Sequence, residues 1–562
     1  MRLTMQYDVC IVGSGAGAGP VAYELAQAGY KVLVLEKGAW YEKEDFFKDE
    51  IGVCRRSTFT PKLDEEQHVI EDLEEGEWVG TPTSESGWDF WNGNIVGGSS
   101  NFMSGYFHRM KPNDFRLKSE FKHIEGANVV DWPISYDELE PYYTKVESIV
   151  GISGHVVDHS FLEPRSTQEF PYPSTQEHAI SSWFDKACQN LKFTAIPTPR
   201  AILPHAVGDR NGCEYAGYCG SYGCSSGAKG SSREALLHKA LKTGNCVIMP
   251  KAFVRRLNSI DDKVVSAEYV DEAGKVHQAE AKIFVVAAQA IETSRLLLNS
   301  ANDDFPTGLA NNSGQVGKNM IFSSGGVGSG KFYFEDLSSE DTQKLRTVGP
   351  FVNRSLQEWY EIEGYEGDAV EKGGTIDFLF EHPNAVSRAK RAMYDGELVW
   401  GDALKKRLTH HFTQRRVFTF EIFCDWTPTD DCFVSLDENI KDKWGMPVAK
   451  LRIGYHEHDL RMGQILADKA ETVLKKMGAR EVNSSISGPP PQNLQAGGCR
   501  FGDDPNTSVL NRDCRSHEVK NLYVSDGSFM PTGGSVPFTW TIYANAFRVA
   551  DAIVKELSQE NV

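Results

Sequence analysis

Residues 7–38 constrain the fold more than any other part of the chain, because their pattern is strand, turn, helix and strand. The apolar run 7–12 ends at a glycine-rich turn that begins with Gly13, and a helix-forming segment follows at 21–28. A second apolar run occupies 31–35. Continuous apolar strands are typical of a parallel sheet that is covered on both faces. These residues therefore predict one strand–helix–strand unit of such a sheet.

The turn after the first strand has the pattern of a dinucleotide-binding site. Gly13 allows a tight turn, and Gly15 lets the backbone approach a pyrophosphate that the N-terminus of the following helix attracts. Glu36 ends the second strand, where a carboxylate accepts hydrogen bonds from a ribose diol and repels the 2′-phosphate of NADP. We expect contacts from Gly13, Gly15, Gly17, Ala18 and Glu36. The alternative is a glycine-rich turn without a ligand, and the pattern does not distinguish FAD from NAD.

Length and charge limit the possible partners. The chain has 562 residues and a formal net charge of −19. Such a length favours two large lobes, and the negative charge argues against nucleic acid or an anionic membrane as a partner. No run of about 18 apolar residues is present, and the first strand begins too early for a cleavable signal peptide. We expect a cytoplasmic protein or one that reaches the periplasm by export with a partner subunit.

Three further segments resemble the glucose–methanol–choline (GMC) oxidoreductase family. The glycine-rich segment 93–101 is similar to the family's second glycine loop, which lies against the flavin. Residues 285–297 resemble the strand and helix beside the cofactor, with Gln289 where glycine is usual. Residues 521–531 are similar to the C-terminal flavin signature. The matches follow one another in the family's order from end to end of the chain.

The resemblance implies FAD as the cofactor and hydride removal from a carbon that carries a hydroxyl. It adds these expected FAD contacts: Gly97, Gly98, Asn101, Val254, Asp526 and Gly527. In some relatives a histidine near the second glycine loop holds FAD covalently, and the corresponding stretch 101–103 has none. We therefore expect non-covalent FAD and interpret His108, slightly downstream, as structural.

The fold that the resemblance implies is α/β, with a Rossmann-like FAD-binding lobe and an α+β substrate lobe that contains an antiparallel sheet. Both lobes are built from separate pieces of the chain. We expect 1–150, 205–310 and 488–562 to form the FAD-binding lobe, with a cysteine-rich loop in its second piece. The substrate lobe is expected from 151–204 and 311–487.

Within the family, the pattern of residues 493–512 and a cysteine cluster resemble the flavoprotein large subunits of bacterial sugar, polyol and gluconate dehydrogenases. Cys213, Cys219 and Cys224 lie on a glycine-rich loop, and Lys229 follows them. Thiolates on such a loop can converge on one centre, and three ligands suit a 3Fe–4S cluster better than a structural zinc ion. Two alternatives remain, which are thiols without metal and a disulfide between Cys213 and Cys219.

Catalysis is where the chain departs from the family. Alcohol oxidation needs a base that takes the hydroxyl proton while the hydride leaves, and relatives use a histidine beside a second histidine or asparagine. Neither slot holds histidine: the first begins at Asn493, with Ala496 as an apparent insertion, and the second falls in 535–541. Asn493 is the candidate catalytic residue, but it can position a hydroxyl without ionising it. Glu421, on an apolar strand, is a candidate for a raised pKa, and the alternative is a satisfied buried carboxylate.

Three functions fit these features. The first is a dehydrogenase subunit that oxidises an alcohol of a sugar, glycoside or polyol, with electrons leaving through the cluster to a cytochrome or quinone partner and a small subunit supporting export. The second is an oxidase or dehydrogenase of a non-sugar alcohol, without a cluster. The third is a flavin-binding protein without chemistry, which the missing histidines favour.

Overall fold

The computed structural model describes residues 7–50, 52, 55–121, 123–178, 180–347, 349–363, 370–486 and 494–560. Two large sheets organise these residues, one parallel and one antiparallel. None of the described helices is both long and apolar enough to cross a lipid bilayer.

The parallel sheet contains the strand–helix–strand unit that the sequence predicts. Its five strands lie in the order Leu522–Val524, Ala281–Val286, Tyr7–Val12, Val32–Leu35 and Cys246–Met249. The central strand buries its last four residues, as a strand covered on both faces must. Strands that are distant in sequence therefore meet with their carboxyl ends at one edge of the sheet.

The first helix, Ala18–Gln27, begins three residues before the predicted 21–28. Pro20 lies in its first turn, where a missing N–H leaves no hydrogen bond unmade. The early start places the helix N-terminus directly behind the glycine turn. The helix packs against the C-terminal helix Thr539–Glu560, which joins the two ends of the chain in one core.

The antiparallel sheet has seven strands. Six lie in the order Arg480–Ile486, Gly326–Tyr333, Arg415–Asp425, Gly374–Phe380, Val352–Leu356 and Ile196–Pro197, and Ser323–Ser324 also pairs with Arg415–Asp425. Helix Glu457–Lys476 packs on this sheet over a core of phenylalanine and leucine side chains. Together the two large sheets confirm the predicted α/β fold with a Rossmann-like lobe and a lobe built on an antiparallel sheet.

Smaller sheets complete the fold. A four-stranded sheet has the order Cys432–Lys441, Pro447–Ile453, Val69–Glu74 and Glu77–Pro82, and a three-stranded sheet comprises Phe253–Ile260, Lys263–Val270 and Val276–Ala279. The remaining helices of eight or more residues are Tyr136–Val146, Ser181–Leu191, Ala290–Asn299, Ser339–Arg346, Ala385–Ala392 and Gly401–Thr413. The four-stranded sheet joins segments expected in different lobes, and the lobe boundaries stay a prediction.

Candidate active site

A cavity of about 290 Å³ opens at the carboxyl ends of the parallel strands. Ligands of open α/β sheets bind at this edge, because the strand-to-helix turns gather there. Eight of the residues expected to contact FAD line the cavity, namely Gly13, Gly15, Gly17, Glu36, Gly98, Val254, Asp526 and Gly527.

The glycine turn combines a tight bend with free space. Gly13 has φ +94°, and a Cβ atom there would lie 2.3 Å from the carbonyl oxygen of Ala287, so the turn requires glycine. At Gly15, by contrast, no atom lies within 4 Å of the position of a Cβ. Because Gly15 lines the cavity, this open space is room for a ligand beside the helix N-terminus.

Ser14 joins the first turn to the acid of the second strand and to the second glycine loop. Its Oγ donates to Glu36 Oε2 at 2.5 Å and accepts the backbone N–H of Gly97 at 2.8 Å. The other carboxylate oxygen of Glu36 accepts the N–H of Gly38 at 2.7 Å, and burial raises the pKa of Glu36. Sequence reasoning missed Ser14, although its place between the two glycines of the fingerprint was a usable signal.

Three of the expected FAD contacts support the cavity without lining it. Ala18 is the buried first residue of the helix, and Gly97 is held by Ser14. The Asn101 amide donates to the carbonyl oxygens of Val96 at 3.0 Å and Gly98 at 2.9 Å. These residues fix the shape of the second glycine loop.

Asp526 is held by four hydrogen bonds at the cavity wall. It accepts the N–H of Gln289 at 2.9 Å and the hydroxyl of Thr293 at 2.5 Å. Its other oxygen accepts the N–H and the hydroxyl of Ser528, at 3.0 and 2.5 Å. Burial raises the pKa of Asp526, because the charged form loses its hydration. The aspartate thus joins the C-terminal signature to helix Ala290–Asn299.

Gln289 occupies a backbone region that is nearly exclusive to glycine, with φ +83° and ψ 147°. Its side chain caps the next helix, accepting the N–H groups of Ile291 at 3.0 Å and Glu292 at 3.3 Å. The amide nitrogen donates to Gln495 Oε1 at 2.6 Å. The departure from the family's glycine therefore adds a cap to a strained turn.

The cysteine loop encloses a second, small cavity. Cys213, Cys219 and Cys224 are free thiols that line about 40 Å³ together with Lys229, so the alternative of a Cys213–Cys219 disulfide is not formed. Across the described part of the chain, no three His, Cys, Asp or Glu side chains are arranged to hold a metal ion. As placed, the three thiols do not form a set of metal ligands.

Lys229 ties this loop to the second glycine loop. Its buried ammonium donates to the carbonyl oxygens of Asn101 at 3.1 Å, Cys219 at 3.0 Å and Tyr222 at 2.8 Å. Burial lowers the pKa of Lys229 to about 8. Burial works against ionisation of Cys224, but the Lys229 ammonium and the hydrogen bonds from Ser226 and the backbone together lower the pKa of that thiol.

The reaction end of the cavity is where the two histidine slots were expected. Asn493 lies outside the described residues, and the next two residues, Leu494 and Gln495, line the cavity. The second slot contributes Pro537 and Phe538. Among the described residues that line the cavity, none is histidine.

A tyrosine–carboxyl pair lies at this end. Tyr106 lines the cavity, and its hydroxyl donates to Glu421 on strand Arg415–Asp425. Desolvation and the nearby Asp377 raise the pKa of the Glu421 carboxyl. Tyr106 carried no sequence signal, because the pairing partner is more than three hundred residues away.

The parallel sheet, the glycine turn at a helix N-terminus and the acid after the second strand define a Rossmann-type dinucleotide-binding protein with a second lobe. The family profile described as GMC oxidoreductase matches residues 79–322 with its N-terminal part and 428–546 with its C-terminal part. The chain belongs to the GMC oxidoreductase family.

Individual relatives match this chain in sequence over nearly its full length. The chain is 32% identical to 2-methyl-1,2-propanediol dehydrogenase of Mycolicibacterium austroafricanum, over 98% of this chain and 96% of that protein. It is 26% identical to the fructose dehydrogenase large subunit of Gluconobacter japonicus, over 99% of both chains. The fold is shared with pyridoxine 4-oxidase from Mesorbium loti, at a TM-score of 0.61 and 16% identity, over 97% of this chain and 99% of that one.

The protein is therefore an FAD-dependent oxidoreductase that acts on CH–OH groups. The cavity fits that cofactor, because Gly15 leaves room for a pyrophosphate and Glu36 is placed for a ribose.

Proposed function

We propose that the chain is the flavoprotein subunit of a dehydrogenase that oxidises an alcohol group of a polyol, sugar or glycoside. Full-length similarity to a diol dehydrogenase and to a fructose dehydrogenase subunit carries this proposal. Polar groups of Ser104, Tyr106 and Gln495 at the reaction end support it, since a substrate with several hydroxyls needs several partners.

The residues that would hold FAD follow from their places in the cavity. Gly13 and Gly15 would face the pyrophosphate at the helix N-terminus, and Glu36 would accept the ribose hydroxyls. Asp526 and Gly98 would border the middle of the cofactor. FAD supplies the hydride acceptor when bound, and we propose that it is held without a covalent bond.

A non-sugar alcohol is a second candidate substrate. Its support is the apolar part of the same reaction end, where Met103, Phe107, Leu494 and Phe538 line the cavity. Such walls suit an alkyl group next to the hydroxyl that is oxidised. A small branched diol satisfies both the polar and the apolar lining.

Anaerobic mixing of the holoenzyme with an alcohol panel tests the function. The panel comprises 2-methyl-1,2-propanediol, fructose, gluconate, glycerol and a long-chain primary alcohol. We expect at least one polyol or sugar to bleach the flavin band within minutes. Bleaching by the long-chain alcohol alone would favour the second candidate, and no bleaching by any compound would contradict the proposal.

We further propose that Cys213, Cys219 and Cys224 bind a 3Fe–4S cluster. Its support is that all three thiols line one cavity and that Cys219 packs against the apolar cluster that contains Tyr106. The placed thiols are not arranged as metal ligands, so a cluster would require the loop to close around it. Iron analysis tests this: a cluster requires about three iron atoms per chain. A content below about one would contradict it.

Partners and location are proposed together. The Gluconobacter relative is named a large subunit, which supports a small partner subunit for this chain and a cytochrome or quinone as electron acceptor. Export with that subunit would place the protein in the periplasm, and without it the protein would stay in the cytoplasm. Pull-down of the tagged chain from its own host, followed by fractionation, tests both: recovery of the chain alone from cytosol would contradict the partner proposal.

A further inference from the structure

Tyr106 occupies the part of the cavity where the family's base would act. It lines the cavity together with Leu494, which follows the first histidine slot, and Pro537, which belongs to the second. Leu494 also packs against the small apolar cluster that contains Tyr106. The tyrosine ring is thereby fixed at the reaction end, with only 7% of its surface exposed.

The hydroxyl of Tyr106 leads to a buried acid. It donates to Glu421, which lies on strand Arg415–Asp425 directly opposite Asp377 on the neighbouring strand. Asp377 is fully buried, accepts from His108 Nε2 at 3.1 Å, and leaves its second oxygen without a hydrogen-bond partner among the described residues. Two carboxyls in facing positions of a sheet resist carrying two charges, which favours a proton on one of them.

Two other tyrosine–glutamate pairs show how the Tyr106–Glu421 pair differs. Tyr333 donates to Glu481, and Tyr523 donates to Glu556. Each of those carboxylates also has a cation nearby, Lys331 beside Glu481 and Arg515 at 3.6 Å from Glu556. The Lys331 hydrogen bond leads the interactions that lower the pKa of Glu481 to about 2.

Within the described ranges, Glu421 differs from Glu481 and Glu556 in its lack of a cation and in the position of its tyrosine. Among the described side chains, no lysine or arginine forms an ion pair with it, and its tyrosine lines the cofactor cavity. A carboxyl without a cation and with a raised pKa binds a proton more readily than an ordinary glutamate, which suits a proton acceptor. The other two pairs lie away from the cavity and cannot serve it.

We propose that Tyr106 takes the substrate's hydroxyl proton in place of the absent histidine, and that Glu421 is the acceptor to which Tyr106 passes its own proton. This assignment rests on the proposed alcohol oxidation. The C–H bond breaks and its electron pair leaves with the hydrogen as hydride to the flavin. The O–H bond breaks, its proton bonds to the Tyr106 oxygen, and the phenolic proton moves to a carboxylate oxygen of Glu421. The electron pair left on the substrate oxygen forms the C=O bond.

The relay explains why a tyrosine can work here. Burial and the adjacent Glu421 raise the pKa of Tyr106 well above its usual range, so a free tyrosinate is not available. Simultaneous transfer avoids that anion, because the phenol loses one proton as it gains another. Tyr106 is then the catalytic residue, and Glu421, Asp377 and His108 set the proton affinity behind it.

The pH dependence follows from the charge of Glu421. The carboxylate must be ionised to accept a proton, and desolvation with Asp377 opposite raises its pKa above the ordinary value of about 4.3. Flavin reduction should therefore be slow in acid and rise with pH through that raised pKa. The titratable groups that face Glu421 are Tyr106 and Asp377, with His108 behind Asp377.

The test compares holoenzymes of the wild type, Y106F and E421Q with the matched controls Y333F and E481Q, whose residues do not line the cavity. Anaerobic stopped-flow mixing with 2-methyl-1,2-propanediol, or with whichever panel alcohol reduces the wild type, gives the rate of flavin bleaching from about pH 5 to pH 9. We expect Y106F and E421Q to lose a factor of about 10² to 10⁴ and the acid limb of the profile. Both controls should match the wild type.

Two further readouts separate catalysis from folding. The FAD content and thermal midpoint of each variant should stay close to those of the wild type. Among the bands of the buried carboxyls, infrared titration should show a protonated-carboxyl band that E421Q removes and E481Q keeps. Wild-type rates and pH profile in Y106F or E421Q would overturn the relay while leaving the proposed function intact. A wild type that no alcohol reduces would overturn the function, and the relay with it.

Discussion

Ser14 and Glu36 form a hydrogen bond of 2.5 Å that joins the first glycine turn to the end of the second strand. The same hydroxyl accepts the N–H of Gly97 at 2.8 Å. One small side chain thus fixes the relative positions of three segments that border the cofactor cavity. Glu36, which we propose accepts the ribose hydroxyls, is thus held in place by the protein's own groups, which reduces the ordering cost of binding.

Removing this hydroxyl should weaken cofactor binding. In S14A, Glu36 and Gly97 lose a shared partner, and we expect the FAD dissociation constant to rise about tenfold. Reconstitution of the apoprotein followed by flavin fluorescence measures it. S84A, which removes an exposed hydroxyl that donates to Gln67 at 2.7 Å, is the control and should bind FAD as the wild type does. Equal affinities of S14A and S84A would contradict the role of Ser14.

Gly13 and Gly15 should respond oppositely to alanine. G15A places a methyl in open space, so the apoprotein's free energy of unfolding should change by less than about 1 kcal/mol while FAD binding is lost. G13A meets a carbonyl oxygen at positive φ, and we expect a loss of about 2 kcal/mol or more of apoprotein stability. Urea unfolding and FAD titration measure both. FAD binding by G15A at wild-type affinity would show that the pyrophosphate lies elsewhere.

Gln289 combines backbone strain with a helix cap, and two substitutions separate them. Q289A keeps the strain and loses the cap, whereas Q289G loses the cap and relieves the strain. We expect Q289G to be more stable than Q289A by about 1 to 3 kcal/mol in urea unfolding. A less stable Q289G would mean that the unusual backbone conformation carries no cost.

Asp459 should make stability depend on pH near neutrality. Burial and the nearby Asp425 raise its pKa to about 7, and the Thr427 hydroxyl, which donates at 2.6 Å, acts in the opposite direction. A carboxyl whose folded pKa is raised stabilises the fold in its protonated form, and this contribution is lost as pH rises through that pKa. The free energy of unfolding of D459N relative to wild type should therefore increase between about pH 5 and pH 8. D468N, at an exposed helix position, should show no such trend, and a flat difference for D459N would contradict the assignment.

The sequence predicted best those elements that depend on residues close together in the chain. The strand–turn–helix from residue 7 and the acid at Glu36 depend on neighbouring residues, so their pattern was sufficient. The start of the first helix was missed because Gly19 and Pro20 are poor helix formers, which a first turn nonetheless accepts.

The reaction end could not be predicted in the same way. The Tyr106–Glu421 pair depends on the register of an antiparallel sheet that brings Asp377 opposite Glu421, and no local pattern encodes that register. The cysteine spacing favoured a cluster, but spacing does not fix where thiols point, and the three side chains do not form a metal-binding group within the described ranges. Asn493 remains a prediction, because it lies outside them.

Flavin analysis of the purified, undenatured protein tests whether the two glycine loops and the C-terminal signature together bind FAD. We expect a yellow protein with about one FAD per chain, which acid releases into the supernatant if the proposed non-covalent binding holds. G15A, purified in parallel, should be colourless and folded. A colourless wild-type protein that cannot be reconstituted with FAD would show that these segments do not form an FAD site.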